Sequence, residues 1–206
     1  MQSAITENIN TTVRQHEETT QDWPLHQPSQ IVYRFYTLIN DEFFDGRVPT
    51  PVILFKDENI RNLGHYVVGR NEIGVMENIN LNLRHLDRPI QDVVVTLAHE
   101  LSHSWQRNYG KAGSSRYHNE EFRQKTLAMG IPSDPWGHTL GLHDPFLAFL
   151  RKHGIEAEAR FSLPSPTSMC PGGSKLKRWT CGCTNIRAAV VVQARCLKCG
   201  RNFVQV

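Results

Sequence analysis

Residues 96–103 read TLAHELSH, and they lie in a segment that limits what this chain can fold into. From residue 90 to 108, at 100° per residue, six apolar side chains recur on one broad face, which predicts a helix anchored in a core. His99 and His103 then lie one turn apart on roughly the opposite side, where both imidazoles can reach one metal ion. Glu100 projects beside them, where a carboxylate can act on water without being a ligand. The core-facing residues are Ile90, Val93, Val94, Leu97, Leu101 and Trp105.

The H-E-x-x-H pattern is rare enough to carry weight. With ten His and twelve Glu in 206 residues, roughly 0.03 accidental matches are expected. A catalytic zinc needs three protein ligands and one open position, so a third ligand must exist. The candidates are His118 at the start of a predicted second helix, the neighbouring Glu120, and the loop histidines His138 and His143.

The segments around the motif predict a small α+β sheet domain. We predict a first helix that is capped by Ser29 and ends at Asp45-Gly46, and a second helix within 116–132 that is closed by Gly130 and Pro132. Three strands are predicted at 51–55, 64–69 and 73–83. We interpret INLNL, residues 79–83, as an edge strand that can align a substrate backbone by β-addition.

The charge distribution changes towards the C-terminus. No Asp or Glu follows Glu158, and residues 161–206 carry seven Lys and Arg, a net charge of +7. The Pro, Ser and Gly content of FSLPSPTSMCPGGSK, residues 161–175, is typical of a linker. We therefore predict four parts: a disordered or loosely docked polar arm at 1–27, the α+β domain at 28–160, a linker at 161–177 and a β-rich module at 178–206.

Four cysteines form the second motif. Cys181-x-Cys183 is followed, after twelve residues, by Cys196-x-x-Cys199, and two such knuckles around a β-rich run suit a four-thiolate zinc ribbon. Some thirty residues cannot bury enough core to fold alone, so this zinc is expected to be structural. Cys170 is left over, and we interpret it as a free thiol.

The basic tail favours a nucleic-acid partner. The tail keeps a net charge of about +5 when the −2 of four thiolates and one zinc ion is included. Trp179, beside Arg178, can stack on an unpaired base, which favours single-stranded DNA. The alternative is a solvated basic face. The candidate DNA-binding residues are Lys175, Lys177, Arg178, Trp179, Arg187, Arg195, Lys198 and Arg201.

Several segments resemble the SprT-like metallopeptidase family, which includes the DNA–protein crosslink protease Spartan. HELSH is followed, fifteen residues after its second His, by HNEEF at 118–122, which is similar to the family's H-E-x-x-H and H-x-x-E-F elements. LINDEFFDGRVPTPVILF, residues 38–55, resembles the family's N-terminal helix, turn and first strand. The C-x-C and C-x-x-C pairs look similar to those that follow the peptidase domain in bacterial members. The likeness covers about residues 30–130 and the cysteine module.

This resemblance implies a zincin-like minimal metalloprotease domain with a C-terminal zinc ribbon. It implies that His99, His103 and His118 bind a catalytic zinc, that Glu100 is the catalytic base, and that the second zinc is structural. Glu120 becomes a weaker ligand candidate, and Glu121 either supports a ligand or is a helix-start carboxylate favoured by the helix dipole. The oxyanion donor stays open among His65, Tyr66, Tyr109 and Tyr117.

The expected function is a zinc-dependent hydrolase that cleaves proteins bound or crosslinked to DNA, as in DNA repair. No apolar signal region or run of 18 apolar residues occurs, so a cytoplasmic location is expected, which allows association with the nucleoid, and no membrane partner is expected. Two alternatives remain. One is a nucleic-acid-associated zinc protein without proteolysis, for example in transcription, and the other is a general peptidase whose ribbon only supports the fold.

Overall fold

The computed structural model describes residues 2–70, 76–113, 117–163 and 176–206. The chain divides into two compact units, Met1–Leu163 and Pro164–Val206. Both contain small sheets, and the first also contains the helices, which agrees with the predicted α+β class. Within the described residues, no helix is long and apolar enough to cross a membrane.

The first unit contains five α-helices and one three-stranded sheet among its described residues. A short 3₁₀ turn, Leu83–His85, leads from the sheet towards the helix that carries the H-E-x-x-H pattern. In chain order the elements are α1 (Gln2–Thr19), α2 (His26–Phe44), β1 (Val52–Lys56), β2 (Gly64–Arg70), β3 (Met76–Asn82), α3 (Ile90–Tyr109), α4 (Glu120–Met129) and α5 (Phe146–Lys152).

The sheet has the order β1-β3-β2, so the predicted edge position of INLNL is wrong. β3 is the central strand, parallel to β1 and antiparallel to β2. Asparagines alternate along this strand, and Asn78, Asn80 and Asn82 are all buried. The Asn80 side chain accepts a hydrogen bond from the backbone N–H of Lys56 at 2.9 Å, and Asn82 donates to the carbonyl of Asn62 at 2.6 Å. Backbone partners therefore let polar side chains occupy a central strand.

Helix α2 begins earlier than predicted and packs deep into the core. It starts at His26, so Ser29 lies inside the helix, completely buried, and does not cap it. The predicted end is correct, because Asp45 adopts a left-handed conformation as the C-cap. The buried core of the unit includes Tyr33, Phe35, Ile39 and Phe44 from α2, Ile53, Ile79 and Leu81 from the sheet, Val93, Leu97 and Leu101 from α3, and Phe122, Phe146 and Phe149.

The N-terminal region differs from the predicted disordered or loosely docked arm, because residues 2–19 form α1, which packs on α2 and β1. Polar contacts hold the helix in place. Asn10 is buried and its amide donates to the carbonyl of Thr50 at 2.9 Å, and the hydroxyl of Tyr33 donates to Glu17 at 2.8 Å. An interface built from hydrogen bonds produces little hydrophobic periodicity in the sequence, so the helix was missed.

The second unit is a small antiparallel sheet that presents the four cysteines. Its strands are β4 (Lys177–Thr180), β5 (Asn185–Ala188) and β6 (Val204–Gln205), in the order β5-β4-β6. The first cysteine pair lies in the turn between β4 and β5. The second pair lies in a turn bounded by the isolated bridge between Arg195 and Asn202.

The contact between Glu17 and Tyr33 predicts that α1 docks less firmly as pH rises. Burial raises the pKa of Glu17 from 4.5 to about 7, partly opposed by the hydrogen bond from Tyr33. A carboxyl whose pKa is higher in the folded protein stabilises the fold below pH 4.5 and loses that contribution as pH rises through 7. Glu17→Gln should therefore gain thermal stability over the wild type between pH 5 and pH 8, as followed by circular dichroism. Glu42→Gln, which alters an exposed carboxylate paired with Lys152, is the control. A pH-independent difference for Glu17→Gln would contradict the prediction.

Candidate metal centre

Three histidine side chains converge at one point of the first unit. His99 and His103 lie one turn apart on α3, and His118 directly precedes α4. Nε2 of His118 lies 3.1 Å from Nε2 of His99 and 3.0 Å from Nε2 of His103. These are the three residues that the sequence analysis assigned to a catalytic zinc, and their candidate ligand atoms all lie within 4.8 Å of one another.

A phenylalanine packs against all three imidazoles. Phe122 is completely buried, and its ring centroid lies 5.0 Å from that of His99, 4.3 Å from that of His103 and 4.5 Å from that of His118. The amide N–H of Phe122 donates to the side chain of Asn119, the N-cap of α4, at 3.1 Å. Sequence reasoning matched Phe122 to a motif but gave it no role. Its spacing, one helical turn after His118, was the available signal.

The donor set fits a metal ion. Burial lowers the pKa of His103 to about 3 and that of His99 well below its usual value, and neighbouring imidazoles lower both further. Burial also lowers the pKa of His118. A neutral imidazole nitrogen either carries the N–H or presents a lone pair, so three converging nitrogens cannot all pair with one another, whereas a cation between them takes a lone pair from each. Neutral imidazole is also the form that binds zinc.

Glu100 is buried beside the histidines. Burial raises its pKa to about 8, and a hydrogen bond from the backbone of Tyr66 on β2 opposes that change. A nearby dication favours the ionised form of a carboxyl group. The side chain lines the same cavity as the three histidines.

A polar network ties the loop after α3 to the start of α4. The Gln106 amide donates to Asn119 at 2.7 Å and to Glu121 at 2.8 Å. Glu121 also accepts from the backbone N–H of Lys111 at 2.6 Å, and Asn119 donates to the carbonyl of Lys111 at 2.8 Å. Asn119 and Glu121 lie at the start of α4, just after His118, so these bonds fix His118 relative to α3. Glu121 thus contacts the residues around the third histidine and also lies in the first turn of α4.

The loop 133–139 covers the other side of His118. The backbone N–H of His118 donates to the carbonyl of Pro135 at 2.9 Å. Gly137 has φ +91°, and a Cβ placed there would lie 2.5 Å from Cε1 of His118. Only a residue without a side chain allows the backbone to approach the imidazole this closely. Sequence reasoning treated this stretch as an ordinary loop.

The histidines open into a cavity of about 850 Å³. One wall is β2, which contributes Gly64, His65 and Tyr66. The lining also includes Tyr117 and Trp136, whose rings meet edge to face at 6.3 Å between centroids. The site is therefore accessible to a ligand far larger than water.

The remaining candidate metal ligands and oxyanion donors from the sequence lie in different surroundings. Glu120 is exposed and pairs with Arg123, so it does not join the histidine cluster. His143 does not line the cavity, and the hydroxyl of Tyr109 donates to the carbonyl of Arg47 at 2.6 Å. Among the remaining candidate oxyanion donors, His65 lines the cavity and pairs with Glu58 at 3.0 Å.

The second unit brings its four cysteines together. The sulfurs of Cys181, Cys183, Cys196 and Cys199 lie within 4.8 Å of one another. Cys183 Sγ lies 3.5 Å from Cys181 Sγ and 3.6 Å from Cys196 Sγ. A four-thiolate cluster on two knuckles matches the donor set of a structural zinc site.

The burial of Trp179 corrects one candidate DNA contact. Its side chain is 6% exposed, so the ring is part of the small core of the ribbon and is not available to stack on a base. Arg195 donates to the carbonyl of Gly200, and Arg201 packs against Gly182, where a Cβ would meet its guanidinium at 2.8 Å. Both arginines therefore brace the knuckles.

The other predicted DNA contacts on the ribbon are exposed. Lys177, Arg178, Arg187 and Lys198 all face solvent, and no acidic residue lies in the described part of this unit. Lys175 and Cys170 lie outside the described residues, as do most of the predicted linker residues.

Comparison with known proteins places this geometry in a family. The model of the SprT-like family matches residues 32–134, which is half of the chain and extends from α2 through the three histidines to the start of the 133–139 loop. The chain therefore belongs to the SprT-like family, as the motifs predicted, and a metallopeptidase-type domain follows from that membership. Comparisons with curated proteins and with solved structures gave no match.

Gly137→Ala should weaken metal binding at the histidines. The added methyl group would displace the His118 imidazole, and loss of support for a ligand typically costs 10–100-fold in metal affinity. Competition with a chromophoric zinc chelator measures this. Gly141→Ala is the matched control, because Gly141 also has a positive φ, 137°, but its nearest neighbour would be 3.8 Å away. Equal zinc affinities for Gly137→Ala and wild type would refute the supporting role of this loop.

Proposed function

We propose that this protein is a zincin-like, zinc-dependent endopeptidase that acts on proteins associated with DNA. The observation that carries the proposal is the convergence of three partly buried imidazoles and a buried carboxylate in one open cavity. Membership of the SprT-like family supports the peptidase activity. The basic ribbon supports the choice of substrate.

Zinc is the metal that the first donor set suits, because three imidazoles leave a fourth position open. When bound there, zinc supplies Lewis acidity towards a carbonyl and activates water near neutral pH. His99, His103 and His118 would hold it. Phe122 and the Gln106–Glu121 network keep these rings in place.

Glu100 carries the proton transfers of the proposed reaction. Its carboxylate accepts a proton from the attacking water as the oxygen bonds to the peptide carbonyl carbon. The same group then delivers a proton to the departing nitrogen, so the products are a carboxylic acid and an amine. A carboxylate is not needed for the histidines to bind metal, and its burial at this position therefore favours catalysis over a purely structural metal site.

The free edge of β2 is suited to hold an extended substrate. β2 pairs with β3 on one side, and its other edge has no strand partner among the described residues. Gly64, His65, Tyr66 and Val68 line the cavity beside the histidines. A polypeptide added along this edge would bring its backbone to Glu100 and would be recognised mainly through main-chain hydrogen bonds. We therefore assign substrate alignment to β2 instead of β3, the strand for which it was predicted from the sequence.

The ribbon provides a surface for DNA. Lys177, Arg178, Arg187 and Lys198 are exposed, and no described acidic group in the unit opposes them. DNA held there raises the local concentration of DNA-bound proteins at the catalytic cavity. With Trp179 buried, recognition rests on phosphate contacts, and the earlier basis for preferring single strands is removed.

Glu100→Gln should retain zinc and the fold but lose proteolysis by about 10²- to 10⁴-fold, the contribution expected of a general base. The assay is the cleavage of a labelled histone by the purified protein in the presence of DNA. Glu120→Gln, which alters an exposed carboxylate nearby, should cleave at the wild-type rate. Full activity of Glu100→Gln would remove Glu100 from the mechanism. DNA binding by a wild type that cleaves nothing would favour a non-proteolytic zinc protein.

Replacing Lys177, Arg187 and Lys198 together with Gln should weaken DNA binding and its salt dependence. Each single-strand phosphate contact that is lost should reduce the log–log salt slope by about 0.7. The charge-matched control replaces Arg34, Arg151 and Lys152 of the first unit with Gln. Fluorescence anisotropy measures the binding, and cleavage with and without DNA measures stimulation. An unchanged slope would indicate that DNA binds elsewhere, for example at Arg107 and Lys111. Cleavage that DNA does not stimulate would favour a general peptidase.

A further inference from the structure

We propose that His138 is a catalytic residue of this site, which donates a hydrogen bond to the oxygen of the scissile carbonyl as that oxygen gains negative charge. The inference rests on the proposed peptidase function and assigns a role that the family match does not cover, because the match ends at residue 134. His138 lines the same cavity as His99, Glu100, His103 and His118.

Asp134 fixes the position of the His138 imidazole. Nδ1 of His138 lies 2.8 Å from one carboxylate oxygen of Asp134. The other oxygen accepts the backbone N–H groups of His138 at 2.9 Å and of Trp136 at 2.8 Å. The hydrogen bond from His138 is the main reason that the pKa of Asp134 falls to about 2. The carboxylate is therefore ionised at neutral pH, and it holds the ring through Nδ1.

The loop that carries His138 is anchored on both the helix and the metal ligand. The backbone N–H of Asp134 donates to the carbonyl of His138 at 3.0 Å and closes the loop. At its base, the hydroxyls of Ser133 and Thr126 on α4 lie 3.1 Å apart and are buried. His118 donates its backbone N–H to Pro135 in the same loop. The position of His138 is thus tied to that of the third ligand.

Nε2 of His138 is the atom left to meet a substrate. The His138 side chain is 76% exposed, and the described residues give Nε2 no hydrogen-bond partner. In the imidazolium form, Nδ1–H donates to the Asp134 carboxylate and Nε2–H is a second donor. A fixed donor beside the reacting carbonyl stabilises charge that appears in the transition state.

Two other polar groups of the cavity, Tyr66 and His65, fit this role less well. The hydroxyl of Tyr66 is buried near Glu77 and Ser104, away from solvent. His65 also has a carboxylate partner, Glu58, but it lies on β2, the strand proposed to hold the substrate backbone. The loop that carries His138 contacts the third histidine directly, and this contact distinguishes His138 from His65 as the candidate donor.

Steady-state cleavage of fluorescein-labelled casein by the full-length zinc-loaded protein tests the role. His138→Ala should lower kcat by about 10²- to 10³-fold, as expected for the loss of one oxyanion donor, with KM within about threefold of wild type. Zinc content and melting temperature should not change, because the side chain is exposed. Asp134→Asn should lower kcat to a lesser degree. His143→Ala, in the same stretch but outside the cavity, should match the wild type.

Two results would overturn the assignment. One is a kcat for His138→Ala equal to that of wild type. The other is a large loss of kcat in His65→Ala, with His138→Ala changing only KM, which would assign the donor to β2. Both leave the proposed peptidase function intact, because the wild type is active in each. An inactive wild type with a full complement of zinc would overturn the proposed function and this inference together.

Discussion

The close approach of three imidazole nitrogens inside the protein is the constraint on which the rest of the site depends. Nε2 of His118 lies about 3 Å from Nε2 of both His99 and His103, and burial disfavours protonation of the three rings. A neutral ring nitrogen either donates or accepts, so the three cannot all pair with one another, whereas a divalent cation between them takes a lone pair from each. The surrounding structure must therefore be rigid enough to hold this arrangement while leaving one side open to a ligand.

The fold supplies that rigidity from several directions. Helix α3 is packed in the core through Leu97 and Leu101, so the two histidines of its other face cannot shift. The third arrives from a different part of the chain and is held by Phe122 and by the polar network of Gln106. The loop that contains Gly137 closes the remaining side. Each support comes from residues distant in sequence, so the site forms only when the domain folds.

Local signals in the sequence predicted much of this arrangement, whereas tertiary contacts were beyond their reach. Helical periodicity and the H-E-x-x-H spacing located α3 and its ligands, and the strand-like runs located β1 and β2. The central position of β3 was missed because the side-chain oxygen of Asn80 and the side-chain amide of Asn82 bond to backbone groups that only the folded chain brings close. The burial of Trp179 was also missed, because an aromatic residue beside basic residues in the sequence suggests an exposed side chain. The role of Asp134 depends on a loop conformation that no periodicity encodes.

Zinc stoichiometry tests the central claim, that the three histidines hold a metal ion, most directly. The protein purified with zinc and freed of loosely bound metal can be analysed by inductively coupled plasma mass spectrometry together with His118→Ala and Cys199→Ser. The account predicts two zinc ions per chain in the wild type, with the histidine site emptied in the first variant and the cysteine site emptied in the second. A wild type that holds one zinc ion, lost in Cys199→Ser and unaffected by His118→Ala, would contradict it.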